Sequence, residues 1–430
     1  MKFTSWGNYP KAKGNNFSVE SLVEIKDILA QNNQTLAQGN HRSYGDSAFA
    51  EAVIDMKKMD YFFGFDKQIG SIQVQSGILL SDLLEIIVPQ GWLLPVMPGT
   101  QLITIGGAIA SDVHGKNHHN AGTFSQFVTS LRLMLSNGEI IECSKIKNKK
   151  AFYATCGGMG LTGIILDATI QLTTITSNKI IQKTIKTLDL KQTFTAFEEN
   201  QNSTYSVAWI DCLAQDDELG KSIVFLGEPE NQGELSYQYK TKIKMPLFLP
   251  SFILNSWSIK LFNWFYYFIV KEKTKSVSLQ QFFFPLDGIV DWNKMYGKKG
   301  FLQYQVVIPI NDAFAGVSEI LQKISDSKQG SFLAVLKRMG NANNNLLSFP
   351  MDGYTLALDF KVNKKVFKLL DELDEIVIKY KGRIYLCKDA RMSSDTFNQG
   401  YKQADKFRQF RKDSELDKHF QSHQSQRLKL

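Results

Sequence analysis

The chain has 430 residues, 43% of them hydrophobic, which is too long for one ordinary core and apolar enough to fill two. Its formal charge of +8 comes from 50 Lys and Arg against 42 Asp and Glu spread along the chain. With no long basic run and no nucleic-acid motif, that balance argues against nucleic acid and for an anionic small ligand or a negatively charged membrane surface. Cys143, Cys156, Cys212 and Cys387 are far apart with no Cys-x-x-Cys pair, so they read as reduced thiols and exclude a disulfide framework or a zinc site. Residues 1–10 lack the apolar stretch of a secretory signal, and a cytoplasmic protein is expected.

In chain order, Val19, Leu22, Ile25, Ile28 and Leu29 recur at helical spacing and predict a helix over 18–31. A strand signal at 72–74 precedes Ser81, which reads as the N-cap of the apolar run 83–88. Alternation and β-branched residues over 128–143 and 161–172 predict strands, with a turn at Asn137-Gly138. Beyond about residue 175 the character changes, with polar linkers, an aromatic stretch and strands at 304–309 and 354–360, which places a second, substrate-facing domain at 176–375. The stretch 247–270 is interrupted by Pro250, Asn255, Lys260 and Asn263. A span needs ~20 mainly apolar residues, so this segment reads either as an interfacial helix or as one buried in its own domain.

Glycines gather at Gly39 and Gly45, at Gly99, Gly106 and Gly107, and at Gly115 and Gly122, beside Arg42, Lys116 and small hydroxyls. Turns without Cβ atoms let backbone N–H groups approach a diphosphate, so phosphate cradling is the general signal. Gly158-Met159-Gly160-Leu161-Thr162-Gly163 matches G-x-G-x-x-G, but 152–155 reads as a weak strand and 164–170 is β-rich rather than helical. That context excludes a Rossmann nicotinamide site. His114, His118 and His119 could share a helix face, yet Gly115 and Asn117 disfavour a helix there and no cysteine or carboxylate completes a metal set. They read as loop residues lining a polar cofactor.

Together these segments resemble the FAD-binding, PCMH-type segments of the vanillyl-alcohol-oxidase superfamily, and within it the decaprenylphosphoryl-β-D-ribose 2-oxidase family. The resemblance runs through 39–46, 98–100, 104–110, 114–119, 157–165, Trp209, 282–287, 300–305, 331–337, 347–350 and 382–391, and is weakest over 215–275. It implies an α+β, two-domain FAD-binding fold: an FAD domain from 1–175, a substrate domain on an antiparallel sheet over 176–375, and a segment 376–430 returning to the FAD domain. Several superfamily members link FAD to a histidine of the first glycine loop. The matching residue here is Arg42, with His41 one place earlier, so non-covalent FAD is expected.

The implied FAD contacts are Gly39, Arg42, Ser43, Tyr44 and Gly45; Pro98, Gly99, Thr100 and Thr104; Gly106, Gly107 and Ala110; His114, Gly115, Asn117 and His119; Gly160, Gly163 and Ile164; and Tyr385. Lys388 matches the family's lysine beside the reactive flavin face, with Tyr44 and His114 as its catalytic companions. Lys116, Trp209, Gln303, Gln305, Lys337 and Thr355, with Lys388, match substrate-pocket positions suited to hydroxyls and a phosphodiester. Ala357 stands where the family has a pocket cysteine, and Thr355 where it has an asparagine.

The resemblance implies oxidation of the 2-hydroxyl of a polyprenylphosphoryl pentose, the first half of an epimerisation finished by a separate ketosugar reductase, with peripheral contact at the inner membrane face. An aldonolactone or alditol oxidase differs in needing no lipid tail. A non-catalytic, flavin-containing lipid-binding protein differs in showing no substrate-dependent bleaching.

Overall fold

The computed structural model describes residues 2–241, 243–250, 253–331 and 333–430. Ser21 caps the first helix, its side chain accepting from the Glu24 N–H while Glu24 reaches back, so the helix runs Leu22–Gln31 with Ile25 and Leu29 buried. It starts later than the expected residue 18 because Ser18 ends the strand Asn15–Ser18, paired in parallel with Ala52–Asp55. Thr35–Gln38 completes that small parallel sheet.

A five-stranded antiparallel sheet follows, in the order Ile140–Ser144, Val128–Met134, Ile164–Gln171, Ser71–Gln75, Phe62–Asp66. The turn at Asn137-Gly138 joins the first two, with Gly138 at φ 79° and the Asn137 Oδ1 accepting from the Glu139 N–H. Two local expectations fail. The helix after the 71–75 strand runs Leu80–Ile87 from Leu79, and Ser81 is buried inside it, bonded to Asp82, because the backbone N–H groups of Leu80 and Ser81 bond Ile103 and Gln101 instead of needing a side-chain cap. Residues 152–155 lie in the helix Lys149–Thr155, whose Ala151, Phe152 and Ala154 pack inward. Gly163 leads directly into the strand Ile164–Gln171, so no helix follows the G-x-G-x-x-G match.

The largest sheet has eight antiparallel strands, ordered Thr274–Ser278, Lys179–Thr187, Ser222–Pro229, Tyr205–Ile210, Ala334–Met339, Gly353–Lys361, Phe301–Pro309, Arg383–Ile384. The helices Ala313–Ser327 and Lys364–Lys379 bury Ile320, Leu321, Leu369 and Leu373 in the core that this sheet shares. The helix Ser256–Ile269 begins at an Asn255 capping box and buries Ile259 and Asn263, the latter donating to Asp211 at 2.6 Å. Its opposite face is exposed, so the helix is not buried throughout; Ser251 and Phe252 of that stretch lie outside the described residues. Among the described residues no helix is long and apolar enough to cross a membrane.

After Arg383–Ile384 the chain returns to the N-terminal elements. The Thr35 N–H donates to the His419 carbonyl at 2.8 Å, and the His423 N–H to that of Phe49 at 2.8 Å. Arg411, fully buried, donates to the carbonyls of Leu161 and Phe420. Arg427 holds both oxygens of Asp46, at 2.7 and 3.1 Å, and one of Asp389 at 2.8 Å. Both carboxylates are buried, so removing the guanidinium leaves Asp46 without its cation and Asp389 with only the N–H groups of Arg391 and Met392 and the Gln424 amide. Arg427→Ala is expected to cost about 3–5 kcal/mol in urea unfolding; an unchanged midpoint would show that neither carboxylate depends on the guanidinium.

Candidate active site

A cavity of about 620 Å³ lies between the glycine loops and the face of the large sheet. Thr104 joins the first two loops: its side chain accepts from the Gly107 N–H at 3.1 Å, and a Cβ on Gly39 would stand 2.2 Å from its Oγ1. The Gly106 N–H is held by the Ser76 carbonyl at 2.8 Å, fixing the turn into the helix Ile105–Ala110. Asp112, at φ 40°, accepts from the Ser125 N–H and from Asn343, Asn345 and Ser348, tying the end of that helix to the 343–348 segment.

The wall of the cavity contains Gly39, Arg42, Ser43 and Tyr44; Pro98, Gly99, Thr100 and Thr104; Gly106, Gly107 and Ala110; His114, Gly115 and Lys116; Gly160 and Gly163; Trp209, Gln303, Gln305 and Lys337; and Tyr385 and Lys388. Five expected residues stand outside it. Gly45 packs on the 387–389 loop, where a Cβ would meet the Asp389 carbonyl oxygen at 1.6 Å. Asn117 donates to the Pro95 carbonyl at 2.7 Å, and the His119 Nε2 is 2.9 Å from the Ser203 carbonyl, which draws both side chains into loop packing. Ile164 points into a separate apolar cluster, and Thr355 sits behind Gln305, accepting from its amide at 3.2 Å. His118 and His119 begin a one-turn helix, His118–Ala121, contrary to the loop reading; His118 accepts from the Gly340 N–H at 3.0 Å. Among the described residues no cluster of His, Cys, Asp and Glu is arranged to hold a metal ion.

At one end of the cavity the Lys388 Nζ lies 4.0 Å over the Tyr44 ring. The Tyr44 N–H donates to the Cys387 carbonyl at 3.1 Å, so the lysine's loop is pinned to the first glycine loop. Burial lowers the Lys388 pKa from the ordinary lysine range, opposed by Cys387 and Asp359. Asp359, itself buried and pushed up to about 7 by burial, accepts from Gln303 at 2.6 Å. Burial and then the Lys337 charge hold His114 well below its usual value, so its imidazole is neutral at pH 7. The Gln305 amide nitrogen is 3.0 Å from the His114 Nε2, and the Lys337 Nζ is 3.3 Å from Nδ1. A neutral imidazole has one N–H, so both contacts are hydrogen bonds when Gln305 donates to Nε2 and Nδ1–H donates to an uncharged Lys337. The Lys337 pKa, lowered to about 7 by burial and then by Lys388, allows that state. Lys116 is also lowered to about 7 by burial; it donates to the Phe282 carbonyl.

At the other end the Arg42 guanidinium stacks 3.9 Å from the Trp6 ring. Asp287 accepts from the Gln101 N–H at 2.8 Å and is pushed up to about 6 by burial. Trp6, Ser76, Asp287 and Cys387 line the cavity without having been expected there. Of these, Asp287 and Cys387 belong to stretches that the resemblance covered; Trp6 and Ser76 carry no motif. The buried Arg42 Nε and Ser76 Oγ have no partner, and nothing lies within 4 Å of a Cβ on Gly99. Unpartnered donors and open glycine backbone fit a phosphate-bearing cofactor.

A family model described as FAD binding domain matches residues 17–144. The chain is 35% identical over 414 residues to decaprenylphosphoryl-beta-D-ribose oxidase of Mycolicibacterium smegmatis, covering 92% of this chain and 89% of that one. It is 30% identical over 177 residues to L-gulonolactone oxidase of Bos taurus, 40% of each chain. It is 30% identical over 125 residues to D-lactate dehydrogenase of Anaerostipes hadrus, 28% of this chain and 26% of that one. The cofactor is FAD.

Two outcomes are expected. Acid or heat precipitation releases intact FAD into the supernatant, because Arg42 cannot form the histidine linkage; flavin retained by the precipitate would assign a bond to His41, which also lines the cavity. Lys116 and Lys337 are bases with lowered pKa values, charged below about 7 and neutral above. Affinity for pyrophosphate, read as a shift in the flavin spectrum, therefore falls as pH rises from 6 to 8, by up to about tenfold per unit for each ionisation. Lys337→Met flattens that slope by one group; an unchanged slope would remove Lys337 from anion binding.

Proposed function

This chain belongs to the decaprenylphosphoryl-β-D-ribose oxidase family and is an FAD-dependent oxidoreductase, and from that premise we propose that it oxidises the 2-hydroxyl of a polyprenylphosphoryl pentose to a ketone. The reaction is the first half of an epimerisation, completed by a separate ketosugar reductase. The observation that carries this reading is the gathering of Lys388, Gln303, Gln305, His114 and Lys337 on the wall of the cavity that the glycine loops line. In this reading residues 1–175 and 376–430 hold FAD without a covalent bond, and 176–375 present the sugar. The protein works at the cytoplasmic face of a membrane.

Bound FAD supplies the two-electron acceptor for the hydride of the carbinol carbon. Lys388 takes the hydroxyl proton: burial favours its neutral amine, and the Tyr44 ring beneath it fixes its height. Asp359 holds the Gln303 amide in place to orient a neighbouring hydroxyl. Neutral His114, its Nε2 accepting from Gln305, holds that amide in place without adding charge. Protonated Lys116 and Lys337 meet the phosphodiester.

The 177-residue likeness to L-gulonolactone oxidase favours a second reading, oxidation of a soluble aldonolactone or alditol. Anaerobic spectra separate the two. A short-chain prenylphosphoryl-β-D-ribose bleaches the flavin in the first reading and L-gulono-1,4-lactone in the second, while bleaching by neither would leave a flavin-containing lipid-binding protein without turnover. With the bleaching substrate, Lys388→Ala and Lys388→Met keep FAD and slow reduction by ~10²–10⁴-fold. Reduction at the parent rate would make the lysine a bystander, and colourless variants would make it a support of the cofactor.

A further inference from the structure

The helix Ser256–Ile269 turns two different faces outward and inward. Inward, Ile259 and Asn263 are buried, and Phe262 and Tyr266 form part of the cavity wall. Outward, Trp257, Leu261, Trp264 and Phe268 recur at i, i+4, i+7 and i+11 and are 86%, 65%, 62% and 69% exposed. Single exposed apolar residues need no explanation, but a continuous aromatic face marks an interaction surface. Fourteen residues make a helix of about 21 Å, too short to cross a bilayer and suited to lying along one.

The charge around this face selects the occupant. Between residues 240 and 275 the sequence has seven lysines and one acidic residue, Glu272. Lys240, Lys244, Lys260, Lys271, Lys273 and Lys275 are exposed. An exposed aromatic face flanked in sequence by exposed lysines matches an anionic phospholipid surface, which takes rings at the acyl boundary and ammonium groups among the phosphates. A second copy of the same face would bring lysine against lysine.

We propose that this face docks the protein on an anionic bilayer with the Phe262 and Tyr266 wall of the cavity turned toward the lipid. A substrate's tail then stays in the acyl region while its sugar reaches Lys388; this delivery rests on the polyprenylphosphoryl reading above, whereas the docking does not.

The test is flotation of the FAD-loaded full chain with vesicles of phosphatidylcholine, with and without phosphatidylglycerol. The protein is expected to float with the anionic vesicles and to bind about tenfold or more weakly to the neutral ones or in high salt. Trp264→Glu and Phe268→Glu, both on the outward face, are expected to lose about tenfold or more of that binding while keeping FAD and the parent rate of bleaching. Brominated acyl chains quench the parent's tryptophan fluorescence if the rings insert. Flotation equal in parent and variants overturns the proposal, as does a dimer in sedimentation velocity that Trp264→Glu converts to monomer. Vesicle binding without oxidation of prenylphosphoryl ribose upholds docking and sinks the substrate reading; oxidation without vesicle binding sinks docking alone.

Discussion

Everything at the reactive end of the cavity depends on two loops touching backbone to backbone. Gly45 has no Cβ, so the Asp389 carbonyl occupies the place where one would be. Arg427 then clamps Asp46 and Asp389 from behind. Between these two contacts the positions of Tyr44 and Lys388 are no longer independent, and the ammonium sits over the ring because the main chains below have nowhere else to go. A loop closed by charge-assisted bonds on one side and steric contact on the other holds a side chain more rigidly than either alone.

The electrostatics of the cavity are unbalanced. Among the described residues neither Lys116 nor Lys337 is ion-paired, and both sit at pKa values near 7 because burial penalises their charged forms. Asp359 is committed to Gln303, and Asp287 lies at the Arg42 end. A site of this kind is costly to protonate when empty of anions and easy to protonate when one arrives. Its charge therefore follows its ligand, and the Nδ1–H bond to Lys337 cannot persist once Lys337 becomes an ammonium.

What could be read from the sequence was local. The loops around Gly39, Gly99, Gly106 and Gly115 carry their own signal, because a chain that must approach a phosphate writes glycine at each approach. A residue whose place is set by something distant carries no such signal. Gly45 looked like its neighbours in the first loop, but the atom that requires it is on residue 389. Asn117 and His119 share a motif with His114, yet carbonyls of Pro95 and Ser203 claim them. Trp6, stacked on Arg42, stands outside any motif. The helix at 149–155 was hidden by Phe152, Tyr153 and Thr155, whose strand preference the helix-forming Lys149, Lys150, Ala151 and Ala154 and the inward packing of Phe152 override. Ala357, at the pocket-cysteine position, lines the cavity with a smaller side chain, a change that composition alone does not interpret.

The return of the chain to its start also governs when the protein can become an enzyme. Thr35 bonds to His419, Arg411 to Leu161, and Arg427 to Asp46 across 381 residues. At synthesis rates of roughly 5–20 residues per second, the first glycine loop waits tens of seconds for the partners that fix it. The wall that carries Lys388 lacks its Arg427 clamp until residue 427 has left the ribosome. Flavin capture in its final geometry then waits for both ends of this network, and a chain interrupted before residue 427 lacks the clamp on the lysine's loop.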